Sequence, residues 1–334
     1  MMRTPHCRRP GLSLTEVLVA LFVMALGIIS LMTLFPLGAV QMGQALRDDR
    51  CGQTASQADG VVRLWWQTEV VEPPTPTSPL KDPFFAALDT NTLGTPVPID
   101  SPAPSYPIFV DPIGYFAKNL NQRLWVGNFP AAFTPTAGDP RIRRFNTQKL
   151  TTPTLAIRAC SMMDDITFDE FGKPDTLSVP GTVVREGAFN WCAVIQRPNN
   201  SNRYVADLKI CVFHTKGLYG GHRVGAGPAD EERVYPPQPP TPLANTPGLT
   251  RLTLSTAIGD LPIRSGSWVM DGSNGTVTNF YRIQSITETG ATTTDLELDT
   301  PLKSTVTQMY IIRGLADVFD RPQLTASGYS RQAP

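Results

Sequence analysis

The chain has 334 residues, 29 of them Lys or Arg and 29 Asp or Glu, with 17% charged overall. That balance argues against a polybasic nucleic-acid binder and against an acidic solvating tail, while 41% apolar residues suffice for a core. With 32 Pro and 26 Gly, an all-helical bundle is excluded and a loop-rich fold with β structure is expected.

The apolar residues concentrate near the N-terminus. From Val17 to Phe35 only Ser30 and Thr33 are polar and no residue is charged. As a helix this run spans about 28 Å, close to the hydrocarbon thickness of a bilayer. Twelve of its 19 residues are Leu, Ile, Val or Phe, together worth roughly −4 to −7 kcal/mol on an insertion scale. Arg3, Arg8 and Arg9 precede it without an acid, which keeps the N-terminus cytoplasmic and sends the rest across. A cleaved secretory signal is the competing reading. It fits poorly, because the run is long and Leu37 stands where a small residue would be needed.

The junction before the run is the most specific feature. Gly11-Leu12-Ser13-Leu14-Thr15-Glu16 leads straight into Val17-Leu18-Val19. A carboxylate at the mouth of a membrane helix is costly without a partner, so Glu16 is a candidate functional group. The bland alternative is an interfacial acid at headgroup level. Residues 3–36 resemble the N-terminus of type IV prepilins and type II secretion pseudopilins: a basic leader, Gly, a short Ser/Thr-Leu stretch, Glu, then the apolar helix. The resemblance implies that prepilin peptidase cuts between Gly11 and Leu12 and methylates the new amine. It also implies that Glu16 serves assembly and that Pro36 kinks the helix. Leu12 stands in place of the commoner Phe, Thr15 in place of the commoner Ile, and Pro36 lies slightly late. The motif covers about a tenth of the chain.

Beyond the membrane run, Cys51, Ala55, Ala58, Val62 and Trp65 recur at helical spacing. Arg47, Asp48, Asp49, Arg50, Gln53, Gln57 and Arg63 supply the wet side, and Pro73-Pro74 ends the pattern. The expected order is a leader at 1–11, a long helix at 12–72 with its membrane part at 17–35, then a proline-rich loop at 73–107. A β-rich head follows at 108–227, then a second proline-rich loop at 228–247, a small antiparallel subdomain at 248–320 and a tail at 321–334. Ten prolines in 73–107 and seven in 228–247 forbid helix interiors and central strands there.

One hairpin, 188–214, is well specified. Phe189, Trp191, Ala193 and Ile195 alternate with more polar residues, as do Ala206, Leu208, Ile210 and Val212 across a turn-rich 197–202. For both apolar sets to share a face the paired residue numbers must sum to an odd number, for example Trp191 opposite Val212 and Ala193 opposite Ile210. Short strands are expected at 250–254, 266–271, 279–287, 293–298 and 308–313. The segments around Trp191-Cys192-Ala193-Val194, Gly266-Ser267-Trp268-Val269 and Tyr281-Arg282-Ile283 are also similar to heads of large bacterial pilin-like proteins. The fold class is therefore α+β: a long N-terminal membrane-spanning helix and an antiparallel, pilin-like head.

Signs of catalytic chemistry are sparse. His6 lies in the leader, and His214 and His222 read as surface or turn residues. No metalloprotease, nucleophile-elbow, phosphate-loop or dinucleotide pattern is present. Asp164, Asp165, Asp169 and Glu170 cluster without the alternating spacing of a calcium loop. Trp65, Trp66, Trp125, Trp191 and Trp268 are assigned to core or subunit contacts rather than to stacking on nucleic acid. Four cysteines remain after the leader, and an odd-sum hairpin register can place Cys192 opposite Cys211 on the other face. A bridge between them competes with half-buried thiols, and requires a non-hydrogen-bonded pair.

No catalytic residue, cofactor or metal is expected. The expected function is a structural subunit of a type II secretion pseudopilus or related filament. Alternatives are a minor type IV pilus subunit, or a membrane-tethered periplasmic binding module or adhesin exported by the pilin signal. The implied partners are prepilin peptidase, other pilin or pseudopilin subunits, the inner-membrane assembly platform with its ATPase, and membrane lipid. The implied location is the bacterial inner membrane, single-pass, with a cytoplasmic N-terminus and a periplasmic head that a filament could extract.

Overall fold

The computed structural model describes residues 14–71, Leu88, most of 105–113 and of 144–174, then 188–198, 204–214, 233–235, 245–255, 263–271, 279–306, 309–311 and 314–325. Helix α1 runs Leu14–Trp66 and ends in a π-helical turn, Gln67–Val71. Two units follow from the contact pattern, residues 1–50 and residues 51–334. The chain thus has one long apolar N-terminal helix followed by a mainly antiparallel β-rich domain.

Among the described residues of the second unit, eleven strands form two sheets. The first has β1 (Ile108–Val110), β2 (Arg144–Phe145), β3 (Phe189–Gln196), β4 (Ala206–His214) and β11 (Leu315–Leu324), in the order β11-β4-β3-β1-β2. Only β1 and β2 pair in parallel within it. The second has β5 (Arg233–Tyr235), β6 (Arg251–Leu254), β7 (Trp268–Asp271), β8 (Asn279–Gly290), β9 (Thr293–Leu298) and β10 (Met309–Ile311), in the order β5-β10-β7-β8-β9-β6. A short helix α2, Pro153–Cys160, precedes β3. Its first turn is held by the Thr152 hydroxyl, which accepts from the Leu155 N–H at 3.3 Å, and Pro153 sits where a missing N–H costs nothing.

The hairpin register is Trp191 opposite Val212, Cys192 opposite Cys211 and Ala193 opposite Ile210. With period two, this sends Trp191, Ala193, Ile195, Leu208, Ile210 and Val212 to one face. There they meet the Cys51, Ala55, Ala58, Val62 and Trp65 stripe of α1 in one buried core. The small residues at 55 and 58 let the helix lie close to the sheet. Trp65 then stacks on Trp191 with ring centroids 5.7 Å apart, and Trp191 is fully buried. The opposite face of the same strands is also covered. Cys192, Val194, Cys211 and Phe213 pack with Met270 and Tyr310 of the second sheet. A third core lies on that sheet's far side, around Leu252, Val269, Tyr281, Ile283, Leu296 and Leu298.

Several expectations need correction. Residues 315–324 are not the end of the second subdomain and the start of a tail. They form one strand that returns to the first sheet beside β4. The stretch 228–247 is not all loop, since β5 lies inside it and pairs with β10. Its two prolines at 236 and 237 follow the strand, so the ladder N–H groups of 233–235 remain intact. The 73–107 loop lies almost entirely outside the described residues, although Leu88 and Ser105 are buried.

Cys192 and Cys211 lie directly opposite each other, both buried and free. His214 N–H points away from β3, donating to Gly314 O at 2.9 Å, and the register through 211–214 is regular. Odd-numbered residues of β4 therefore direct their backbone groups at β3, which makes Cys192–Cys211 a hydrogen-bonded pair. Such pairs hold their Cβ atoms roughly 1 Å farther apart than a disulfide needs.

Candidate assembly helix

The first unit consists of one described element, α1 from Leu14 to Arg50. Every described side chain in it is exposed, with Leu14 at 80% and Phe35 at 81%. The helix is long and apolar enough to cross a membrane, and its most apolar stretch is not buried within the chain. Large apolar side chains continue past the run noted in the sequence, through Leu37, Val40, Met42 and Leu46. From Leu14 to Leu46 the uncovered surface is about 50 Å long, against about 30 Å of hydrocarbon.

The named residues fall as follows. Gly11 and Leu12 lie outside the described residues. Glu16 sits in the first turn of α1, exposed, where the positive end of the helix dipole favours a carboxylate. Pro36 lies inside the helix, which is continuous on both sides of it. Its ring removes the N–H that would have bonded the Met32 carbonyl, so any bend belongs there.

In the second unit, α1 is fixed to the head by polar ties that sequence reasoning had assigned to its wet side. Arg63 Nε donates to both carboxylate oxygens of Asp59 at 3.1 Å. Its Nη2 donates to Pro322 O at 2.7 Å and its Nη1 to Gln323 O at 3.3 Å. One guanidinium thereby joins the helix to the end of β11. Gln57 Nε2 donates to Ser161 O at 3.0 Å, tying the helix to the end of α2. No spacing pattern marks either residue, because their partners lie 104 and about 260 positions away.

On two of the edge strands, β11 and β6, an outward backbone N–H is taken by a side chain. Val318 N–H, which faces away from β4, is taken by Asp317 Oδ1 at 2.9 Å, and Pro322 follows in the same strand. Thr253 N–H at the β6 edge donates to Asn245 Oδ1 at 3.4 Å. Such caps oppose edge-to-edge pairing at those positions.

Other candidate chemistry is structural. His214 is exposed and stacks on Phe189 at 4.7 Å, as a cross-strand pair. His222 and Trp125 lie outside the described residues. Among the described residues, no group of three or more His, Cys, Asp or Glu could hold a metal ion. Burial, and secondarily Asp111, pushes the Cys160 thiol well above its ordinary value, so it stays protonated at neutral pH. Burial likewise raises Tyr281, whose hydroxyl oxygen accepts from Lys303 N–H at 2.9 Å.

No family model matches the chain, and no curated protein matches it. A solved structure of the phage phi92 endosialidase is similar at a TM-score of 0.17 and 13% identity, over 48% of this chain. The match spans 21% of that chain, and at this score it carries no argument.

Proposed function

We propose that the protein is a pilin-like structural subunit of a type II secretion pseudopilus or a related filament, held in the inner membrane and assembled through α1. The observation that supports this reading is the bare apolar surface from Leu14 to Leu46, with Glu16 at its first turn. As a helix it is about 50 Å long, against about 30 Å of hydrocarbon. Prepilin peptidase would release Leu12, and the new amine would enter apolar surroundings in a packed helical core. Glu16 of a neighbouring subunit would neutralise it. At about 4 Å and an effective dielectric near 20, such a pair attracts by roughly 4 kcal/mol before desolvation. The assembly platform and its ATPase would drive insertion, and the two-sheet head suits a minor or tip subunit, because bulk obstructs close stacking.

The test uses two variants of the full chain in membranes. Gly11→Leu blocks cleavage, since a Cβ obstructs the extended backbone at a membrane-surface peptidase site. Glu16→Leu is cleaved normally but no longer crosslinks to other subunits through residues 14–46. N-terminal sequencing and crosslinking read the two steps separately. Normal crosslinking of the Glu16 variant would remove the assembly mechanism and leave a tethered periplasmic module as the better account.

A further inference from the structure

We propose that the second sheet is a lid over a disulfide-capable dithiol, so that Cys192 and Cys211 exchange with a disulfide oxidant only when that sheet lifts. This does not depend on the assembly reading. The two residues are direct cross-strand partners on one face of the first sheet. Their exposures are 1% and 0%, and the groups that close over that face are Met270 of β7 and Tyr310 of β10, with Trp268 and Phe280 beside them. Farther along the same face the cover ends. Lys209 there pairs with Asp320 at 2.6 Å, and Asp207 accepts from Gln323 at 2.7 Å, both partly open to water. On that face the cysteines share a buried cluster with Met270 and Tyr310 of the second sheet and with Phe109, Leu315 and Val318 of the first, while the helix lies on the other face.

The reaction is thiol–disulfide exchange with a small disulfide such as oxidised glutathione. One cysteine thiolate attacks a glutathione sulfur, releasing one glutathione thiol and forming a mixed disulfide. The second cysteine attacks the protein-side sulfur, releasing the other glutathione thiol. Two electrons pass to glutathione, which also carries away both protons. Neither step proceeds beneath a closed sheet, because a tripeptide oxidant cannot reach a buried sulfur. The hydrogen-bonded register adds a second barrier, since β3 and β4 must draw together before the bond closes. Once formed, a bridge would alter the surface on which Met270 and Tyr310 rest, so the redox state is set by whichever comes first, oxidation or docking.

The experiment treats the full chain in detergent micelles with oxidised glutathione and maps the Cys192–Cys211 peptide by mass spectrometry. The native chain should oxidise about 100-fold or more slowly than the chain in denaturant. Met270→Ala should accelerate native oxidation about tenfold, whereas Ile157→Ala, on the helix side of the sheet, should leave it unchanged. Should Met270→Ala fail to fold, amide exchange at Met270 and Tyr310 in the unsubstituted chain gives the same answer. Bridge formation must not outrun exchange there. Equal native and denatured rates, equal acceleration by both variants, or oxidation faster than exchange each overturn the lid.

Discussion

The two halves of α1 share one backbone and have opposite fates. Residues 14–46 are largely apolar and uncovered, whereas 51–66 are mixed in composition and bury one stripe against the first sheet. Apolar content alone would rank the first half as the core element, and it is the reverse. What matters is whether the apolar residues are confined to one face. Residues 51–66 confine theirs to a stripe with polar residues behind, which is how a helix covers a sheet in water. Residues 17–35 are apolar all round, which suits lipid or a packed bundle of like helices.

The largest test of this contrast is a pair of truncations. Trp65→Ala removes a ring stacked on Trp191 in a closed core and should destabilise the head by about 3–5 kcal/mol. Leu26→Ala, in the exposed half, should leave head unfolding within about 0.5 kcal/mol of the unsubstituted chain. Denaturant unfolding of both chains in the same micelles, followed by Trp fluorescence, measures the difference. A comparable loss from Leu26→Ala would mean that the head depends on the first half as well.

A smaller effect separates packing from polar ties within the docked half. Arg63→Met keeps the aliphatic stem but removes the donors to Pro322 and Gln323. The guanidinium is partly exposed, so the expected cost is about 1 kcal/mol. Faster amide exchange should be confined to the end of β11, near residues 321–324. Uniformly faster exchange across β3 and β4 would show instead that Arg63 supports the whole sheet.

The smallest effect is on pH. The folded head raises the Cys160 pKa above its ordinary value of 9.0, chiefly by burial and then through Asp111. A raised pKa means that the folded state holds the proton more tightly. The corresponding stability is complete below the unfolded thiol's pKa and is lost as pH rises above it. The melting temperature should therefore fall above about pH 9, with Tyr281 adding to the fall at higher pH because its pKa is raised too. Cys160→Ala should lower the melting temperature at pH 7 but flatten its decline above pH 9. An unchanged slope would assign the alkaline loss to other groups.

Much of the head was legible from alternation alone. The odd parity of the hairpin pairing follows from two apolar sets that must share a face, the structure selecting Trp191 opposite Val212, and the 51–65 stripe follows from helical spacing. The long apolar helix was equally legible, because a run of this length and composition stands out from the sequence alone. Helix α2 escaped notice, for eight residues give too little periodicity to distinguish from a loop. The ties of Gln57 and Arg63 escaped for a different reason: sequence marks these side chains only as polar, and their partners lie far along the chain.

The sequence by itself determined where the apolar surface lies, the α+β division and which residues of the central hairpin share a face. Each of these depends on spacing within a single segment, and such periods are fixed by backbone geometry. Tertiary structure decided what covers the second face of β3 and β4, and with it the burial of Cys192 and Cys211. It also decided that residues 315–324 close the first sheet after the chain has passed through the second. Such choices between distant segments are made by the total area they bury together, and no local period encodes that area.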